Sequence, residues 1–200
     1  YVELMYGIRY KIKSKYLDKG IILEEDAITL YAAFVEKYVV KNKERRSNGF
    51  VEGEHDSGHE DIGVDTKVSW DIITFHANLL KETVNPIYWW QGQVYMKLFG
   101  FNKFRVVYTL IDMPEVLIQK EFKRMLRDWL GSQEEYEAAC QEYRESVTYS
   151  HIPEDERVLV YEFDYDEEAI LQLEKRIEAC RKWLVEFHNK KTNKKLMYAA

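Results

Sequence analysis

The chain has little with which to staple or interrupt itself. It carries two cysteines, Cys140 and Cys180, far apart and without a Cys-x-x-Cys spacing, which excludes a disulfide framework and a four-cysteine metal or iron–sulfur site. Reduced thiols and a cytoplasmic setting are the expectation. Three prolines and nine glycines are too few for a linker-rich or disordered chain. No apolar run reaches the length of a membrane span and no charged-then-apolar leader is present, so no membrane partner is expected. The chain opens at Tyr1 rather than Met, which leaves room for residues ahead of it. Positive charge is also short. A formal net charge of -6 speaks against a nonspecific nucleic-acid coat, for which a basic total is expected.

What basic residues there are gather in three clusters. These are Lys41, Lys43, Arg45 and Arg46; Lys120, Lys123, Arg124 and Arg127; and Lys190, Lys191, Lys194 and Lys195. Each reads as a solvated face before a phosphate track, because Lys and Arg ordinarily line surfaces. An acidic enzyme with one basic groove stays open. With 46% hydrophobic and 14% aromatic residues, 200 residues can bury a sizeable core, and the length suits one domain with elaborations.

Apolar residues at helical spacing predict an amphipathic helix from Gly20 to Val40, followed by a polar connector from Lys41 to Asn48. Phe50 to Asp56 reads as a strand. Ser57-Gly58-His59-Glu60 has turn chemistry, and a second strand follows, so a β-hairpin is expected. Helices are predicted from Ile72 to Lys81 and from Pro86 to Leu98, with Gly100 past the end of the latter. Phe104 to Ile111 is a strand, Glu115 to Leu130 and Gln133 to Val147 are helices, Arg157 to Phe163 is a strand, and Glu167 to His188 is a long terminal helix. This order predicts an α/β fold with a mixed sheet flanked by helices.

The second hairpin strand, Gly63-Val64-Asp65-Thr66-Lys67-Val68-Ser69-Trp70, carries the most informative pattern. Alternation puts Val64, Thr66 and Val68 on one face and projects Asp65 and Lys67 together from the other. Burying an uncompensated ion is costly, so the pair is a salt bridge, a solvated edge, or part of a site that needs both charges. Across the hairpin stands Asp56. Hard divalent cations take oxygen ligands and keep several waters, so one or two carboxylates and a strand carbonyl suffice to hold one. A neighbouring ammonium can orient an attacking water and offset charge on a phosphate. On spacing alone, a structural cross-strand ion pair stands level with this reading.

Gly53-Glu54-His55-Asp56, then Asp65-Thr66-Lys67-Val68-Ser69-Trp70-Asp71, resembles the signature of the PD-(D/E)XK nuclease superfamily. Asp56 takes its first acidic position and Asp65-x-Lys67 its second half, with His55 where the name has Pro. Two further blocks match in order. Gly20-Ile21-Ile22-Leu23-Glu24 resembles the first-helix motif of phage exonucleases of the lambda exonuclease and YqaJ-type recombinase group, and Gln91-Gly92-Gln93-Val94-Tyr95 resembles their Gln-x-x-x-Tyr helix. The matches span about Gly20 to Ile111.

The resemblance implies a restriction-endonuclease-like core over about 20–111, within a single domain of 1–200 whose strand and helical C-terminal elaboration covers 112–200. It implies a Mg²⁺- or Mn²⁺-dependent deoxyribonuclease, an exonuclease of phage-type recombination or DNA processing. Glu24, Asp56, Asp65 and the carbonyl of Thr66 would hold the metal, Lys67 would position or activate water, and Gln91 with Tyr95 would hold the scissile region. An endonuclease of the same superfamily, or a catalytically silent nucleic-acid-binding or virion protein, remains an alternative. DNA, as linear duplex or single-strand ends, a single-strand annealing partner and a ring-shaped trimer are implied in the same way.

The residues themselves permit this. Gln91 and Tyr95, four apart on a helix, share a face and can present an amide and a phenol to one groove, with Trp90, Val94 and Leu98 as the opposite, buried stripe. Glu25 is the alternative to Glu24, since either suits a helix's first turn. Trp70 and Asp71 could contact an unpaired DNA end, although Trp is more often core, and Ser69 could donate to a phosphate. His55 and His59, with Glu54 and Glu60, offer a zinc reading. Gly58 counts against it by interrupting any helix that would set the ligand pair. His76, His151 and His188 carry no recognisable spacing.

Overall fold

The computed structural model describes residues 1–9, 11 and 14–198, with side chains through residue 192, so those of Lys194 and Lys195 lie outside the described residues. A short helix α1 (Val2–Tyr6) precedes the long α2 (Lys15–Val35), which is capped by Ser14, whose side chain accepts from the Tyr16 N–H. The strands β1 (Val40–Lys41), β2 (Arg46–Ser47), β3 (Glu52–Gly53), β4 (Ser57–His59) and β5 (Ile62–Val68) follow. Next come α3 (Ile72–Leu79), α4 (Pro86–Phe99) and β6 (Lys103–Thr109), then α5 (Glu115–Arg127), α6 (Gln133–Ser146), a 3₁₀ turn (Glu154–Arg157), β7 (Val158–Asp164) and α7 (Glu167–Tyr198).

Five strands form one mixed sheet in the order β1-β4-β5-β6-β7, and only β5 and β6 are parallel. Parallel neighbours need a crossover, and α3 with α4 supplies it. Alternation along β6 divides the core. Phe104, Val106 and Tyr108 face Phe75, Tyr95 and Met96 of α3 and α4, whereas Val107 joins Val64 in packing against Ile28 and Tyr31 of α2. A third cluster, Met113, Leu117, Ile118 and Val147, seats α5 and α6, with half-buried Trp70 against it. This is the expected mixed sheet flanked by helices. Among the described residues no helix is long and apolar enough to cross a membrane.

The hairpin differs from its sequence reading. The expected turn residues Ser57-Gly58-His59 are themselves the strand that pairs with β5, Ser57 opposite Val64 and His59 opposite Ile62. The turn is Glu60-Asp61, with Glu60 in the left-handed region at φ 53°. Ser57 and His59 look like turn residues but are buried, and pairing satisfies their backbone where a turn would expose it. The expected strand Phe50 to Asp56 shrinks to β3, which pairs in a separate two-stranded ribbon with β2, a strand inside the expected connector.

Helix α2 begins five residues before its predicted start and ends five before its predicted end. Its N-cap is Ser14, and Glu36 in a left-handed conformation stops it. Helix α4 matches its reading closely because the signals are local: Asn85 caps it, Pro86 opens it, and Gly100, at φ 81°, ends it.

Candidate active site

The centre of β5 brings the predicted residues together. Asp65 and Lys67 project to the side of α4 and touch as an ion pair, with Asp65 3% exposed. The buried Asp65 Oδ2 meets no polar partner besides this ammonium among the described residues. Burial foremost, with the negative charges of Asp56 and Glu24 adding to it, pushes the Asp65 carboxyl above the ordinary range despite Lys67 beside it. For Lys67, burial acts to lower the pKa, but the charge and contact of Asp65, with the charge of Asp56, raise it overall. Its ammonium also lies 4.8 Å from the centroid of the Tyr88 ring.

Asp56 sits just ahead of β4 and is fastened to the middle of β5. Its Oδ2 accepts from both the backbone N–H and the hydroxyl of Thr66, at 2.7 and 2.9 Å. Glu24, on α2, reaches Lys41 Nζ at 3.1 Å. Two clefts meet at Glu24 and Asp56. One, of about 510 Å³, runs past Thr66, Lys67, Ser69 and Trp70 to Tyr88, and the other, of about 430 Å³, runs past His55 and Glu54 to Tyr95. Glu25 lines neither: its side chain is 81% exposed and pairs with Lys41 at 2.9 Å.

Gln91 and Tyr95 are joined as their spacing suggests, the Gln91 amide donating to the Tyr95 hydroxyl at 2.8 Å. Burial chiefly raises the Tyr95 phenol, the Gln91 contact opposing and the Asp65 charge adding to the rise. Tyr95 lies against Gly53 of β3, where a Cβ would overlap its ring. The rest of α4 is turned from its expected orientation. The buried residues are Gly92, Gln93, Tyr95 and Met96, while Trp90 is exposed and Val94 and Leu98 are half-buried. The cause is Gly92, whose missing side chain lets the helix close on Phe104 and Phe163; a Cβ there would stand 2.6–2.8 Å from their rings. Gln93 is then a clamp, donating to the Asp164 carbonyl and accepting from the Asp166 N–H, both at 2.8 Å.

Four other residues named in the sequence have definite local partners or places. Asp71 caps α3 in a reciprocal box with Thr74, the Asp71 side chain accepting from the Thr74 N–H and the Asp71 N–H donating to the Thr74 hydroxyl. His55 Nδ1 lies 2.7 Å from the Ser57 carbonyl among Phe99 and Phe101, and His59 Nε2 lies 3.0 Å from the Tyr31 hydroxyl, so neither joins a zinc site. Ser69 is buried with its Oγ unpartnered, beside the first cleft.

Two residues escaped sequence reading. Tyr88 falls at i, i+3 and i+7 with Gln91 and Tyr95, a spacing that marks one helix face. Lys19 is fully buried, its ammonium donating to the carbonyls of Ser69 and Trp70 at 2.8 and 2.9 Å, and it ties α2 to the end of β5. Burial lowers its pKa to about 8, against the raising charges of Asp71 and Asp112. Its signal was position: Lys19 shares the stripe of Leu23, Ala27 and Leu30 on α2.

Among the described residues no three His, Cys, Asp or Glu side chains close into a ready metal cage. The donor set still fits a hard divalent cation, which needs few protein oxygens. Asp65 holds a buried carboxylate whose one counter-charge is Lys67, and Asp56 and Glu24 raise its pKa through their charge. A cation there would relieve that unfavourable accumulation.

No protein-family model matches the chain, and no curated protein matches it by sequence. Its fold does match solved structures. A phage-related exonuclease from Haemophilus somnus 129PT superposes with a TM-score of 0.71 and 24% identity, over 94% of this chain and 79% of that one. The alkaline exonuclease LHK-Exo from Laribacter hongkongensis gives 0.59 with 14% identity over 92% and 77% of the two chains. Its complex with dAMP gives 0.62 with 14% identity over 96% and 80%. The chain therefore has the fold of these exonucleases, the restriction-endonuclease-like core with a long C-terminal helix that its motifs suggest.

Proposed function

We propose that this chain is a metal-dependent nuclease that hydrolyses phosphodiester bonds in DNA, working from strand ends as an exonuclease. The observation that carries the reading is the meeting of two clefts at Glu24 and Asp56, with Lys67 lining the first of them and its ion-pair partner Asp65 buried beside it and held above its ordinary pKa partly by the other two carboxylates. The exonuclease fold supports it, and the dAMP bound to LHK-Exo favours a deoxynucleotide substrate.

Glu24, Asp56, Asp65 and the Thr66 carbonyl would hold Mg²⁺ or Mn²⁺. Such an ion neutralises charge on the phosphoryl group and lowers the pKa of its bound water. Lys67, steadied against Asp65 and the Tyr88 ring, would orient the attacking water and offset charge as it develops. The paired Gln91 and Tyr95 would hold the strand beside the scissile bond.

End-labelled linear duplex and covalently closed circular DNA, each incubated with and without Mg²⁺, test the reading. Release of nucleotides from the linear DNA alone, and only with metal, is expected. Cutting of circles would replace the exonuclease with an endonuclease, and no hydrolysis of either would overturn the enzyme.

A further inference from the structure

Helix α5 carries Lys120, Lys123, Arg124 and Arg127 at i, i+3, i+4 and i+7, so the four share one face, and all are exposed. The opposite face, with Leu117, Ile118, Phe122 and Met125, turns inward. A solvated stripe needs no partner, but the surroundings of this one distinguish it. It adjoins the wall of the first cleft. Lys120 lies 3.6 Å from Asp18 of α2, and Trp70, which lines that cleft, packs against the Leu117 and Ile118 cluster beneath the stripe. Lys15 extends the line of charge, its ammonium 4.7 Å from the centroid of the Trp70 ring.

The acids nearby neutralise only part of it. Arg124 pairs with Glu121 and Arg127 with Asp128, while among the described residues Lys123 and Lys15 have no ion-pair partner. On a chain of net charge -6, a polyanion is repelled at long range, so a surface that holds one must concentrate its cations locally.

We infer that the outer face of α5, with Lys15, is a backbone-phosphate track for the duplex whose end enters the cleft; this rests on the nuclease reading. Lys120 to Arg127 spans about 10 Å of helix. That length matches up to about three phosphates of one strand, spaced about 3.4 Å along the axis. Such contacts set position and carry no sequence information, which suits an enzyme that degrades any sequence.

The test is binding of a blunt linear duplex, with metal chelated so that nothing is cut, by the wild-type protein and by the triple variant Lys120→Gln, Lys123→Gln, Arg127→Gln across a range of salt. The slope of log affinity against log salt should fall by about two to three in the variant, and binding at about 0.1 M salt should weaken about tenfold or more. Lys190→Gln with Lys191→Gln on α7 is the matched control and should change neither. Hydrolysis by the wild type together with an unchanged slope in the triple variant, or an equal fall in the control, overturns this inference alone. No binding and no Mg²⁺-dependent hydrolysis by the wild type overturns the nuclease reading and the track with it.

Discussion

A single oxygen of Asp56 accepts both the backbone N–H and the hydroxyl of Thr66, and so fixes the approach to β4 against the centre of β5. The carboxylate therefore has two duties, structural through one oxygen and chemical through its charge. Asn can still accept with its one carbonyl oxygen but cannot supply the charge. Asp56→Asn should keep the wild-type melting temperature within a few degrees and lose nuclease activity. Asp56→Ala, which leaves the Thr66 N–H without its acceptor, should in addition cost about 1–3 kcal/mol in denaturant titrations.

Gly53 lines the second cleft and lies against the Tyr95 ring of α4. A Cβ at this position overlaps the Tyr95 ring, which would have to swing and abandon its bond from Gln91. Gly53→Ala should destabilise by about 1–3 kcal/mol. It should also lower activity more than Tyr95→Phe, which keeps the ring in place. Equal losses in the two variants would show that ring position is unimportant.

Lys19 gives the protein a measurable dependence on alkaline pH. Its ordinary pKa is 10.5 and its folded value is about 8, so between these limits the unfolded chain binds more protons and stability rises with pH. The difference in unfolding free energy between wild type and Lys19→Met should grow by about 2 kcal/mol between about pH 7.5 and about pH 10. A flat difference would mean that the buried ammonium is not desolvated in the folded state.

Glu24 and Glu25 share Lys41, but only Glu24 lines the clefts. Glu24→Gln should abolish activity and weaken Mg²⁺ binding measured by calorimetry, whereas Glu25→Gln should change either by no more than about twofold, the scale expected of an exposed ion pair.

Where structure follows from local chemistry, the sequence carried it. The opening Pro86 and closing Gly100 of α4, the alternation of β5, and the meeting of Asp65 with Lys67 all arise within a few residues. The strands β1, β2 and β3 are two residues long, too short to show any period, and fall on the predicted helix end, the connector and one longer strand. The hairpin turn was displaced because Ser57-Gly58-His59 has turn composition, while the buried pairing that makes it a strand depends on Val64 and Tyr31. The face of α4 was misread because Trp90 outweighs Gly92 in apolar pattern, although the absent side chain of Gly92 sets the packing. Within the site, residue types and order were legible for Glu24, Asp56, Asp65, Lys67, Gln91 and Tyr95. Tyr88 and Lys19 act through contacts with β5 and the turn after it, elements distant in sequence, and the pattern around each was the only local trace.

In the proposed nuclease the labour within β5 is divided, Asp65 serving the metal and Lys67 the water. The most direct measurement is Mg²⁺-dependent release of nucleotides from end-labelled linear duplex by Lys67→Ala, alongside calorimetric Mg²⁺ affinity for that variant and for Asp65→Asn, with folding checked by circular dichroism. The account predicts that Lys67→Ala loses at least about a hundredfold in rate, the lower end of what a positioned proton-transfer or charge-stabilising group contributes. Its metal affinity should stay near that of wild type, while Asp65→Asn should lose metal affinity. Full activity in a folded Lys67→Ala, or unchanged Mg²⁺ binding in Asp65→Asn, would contradict it.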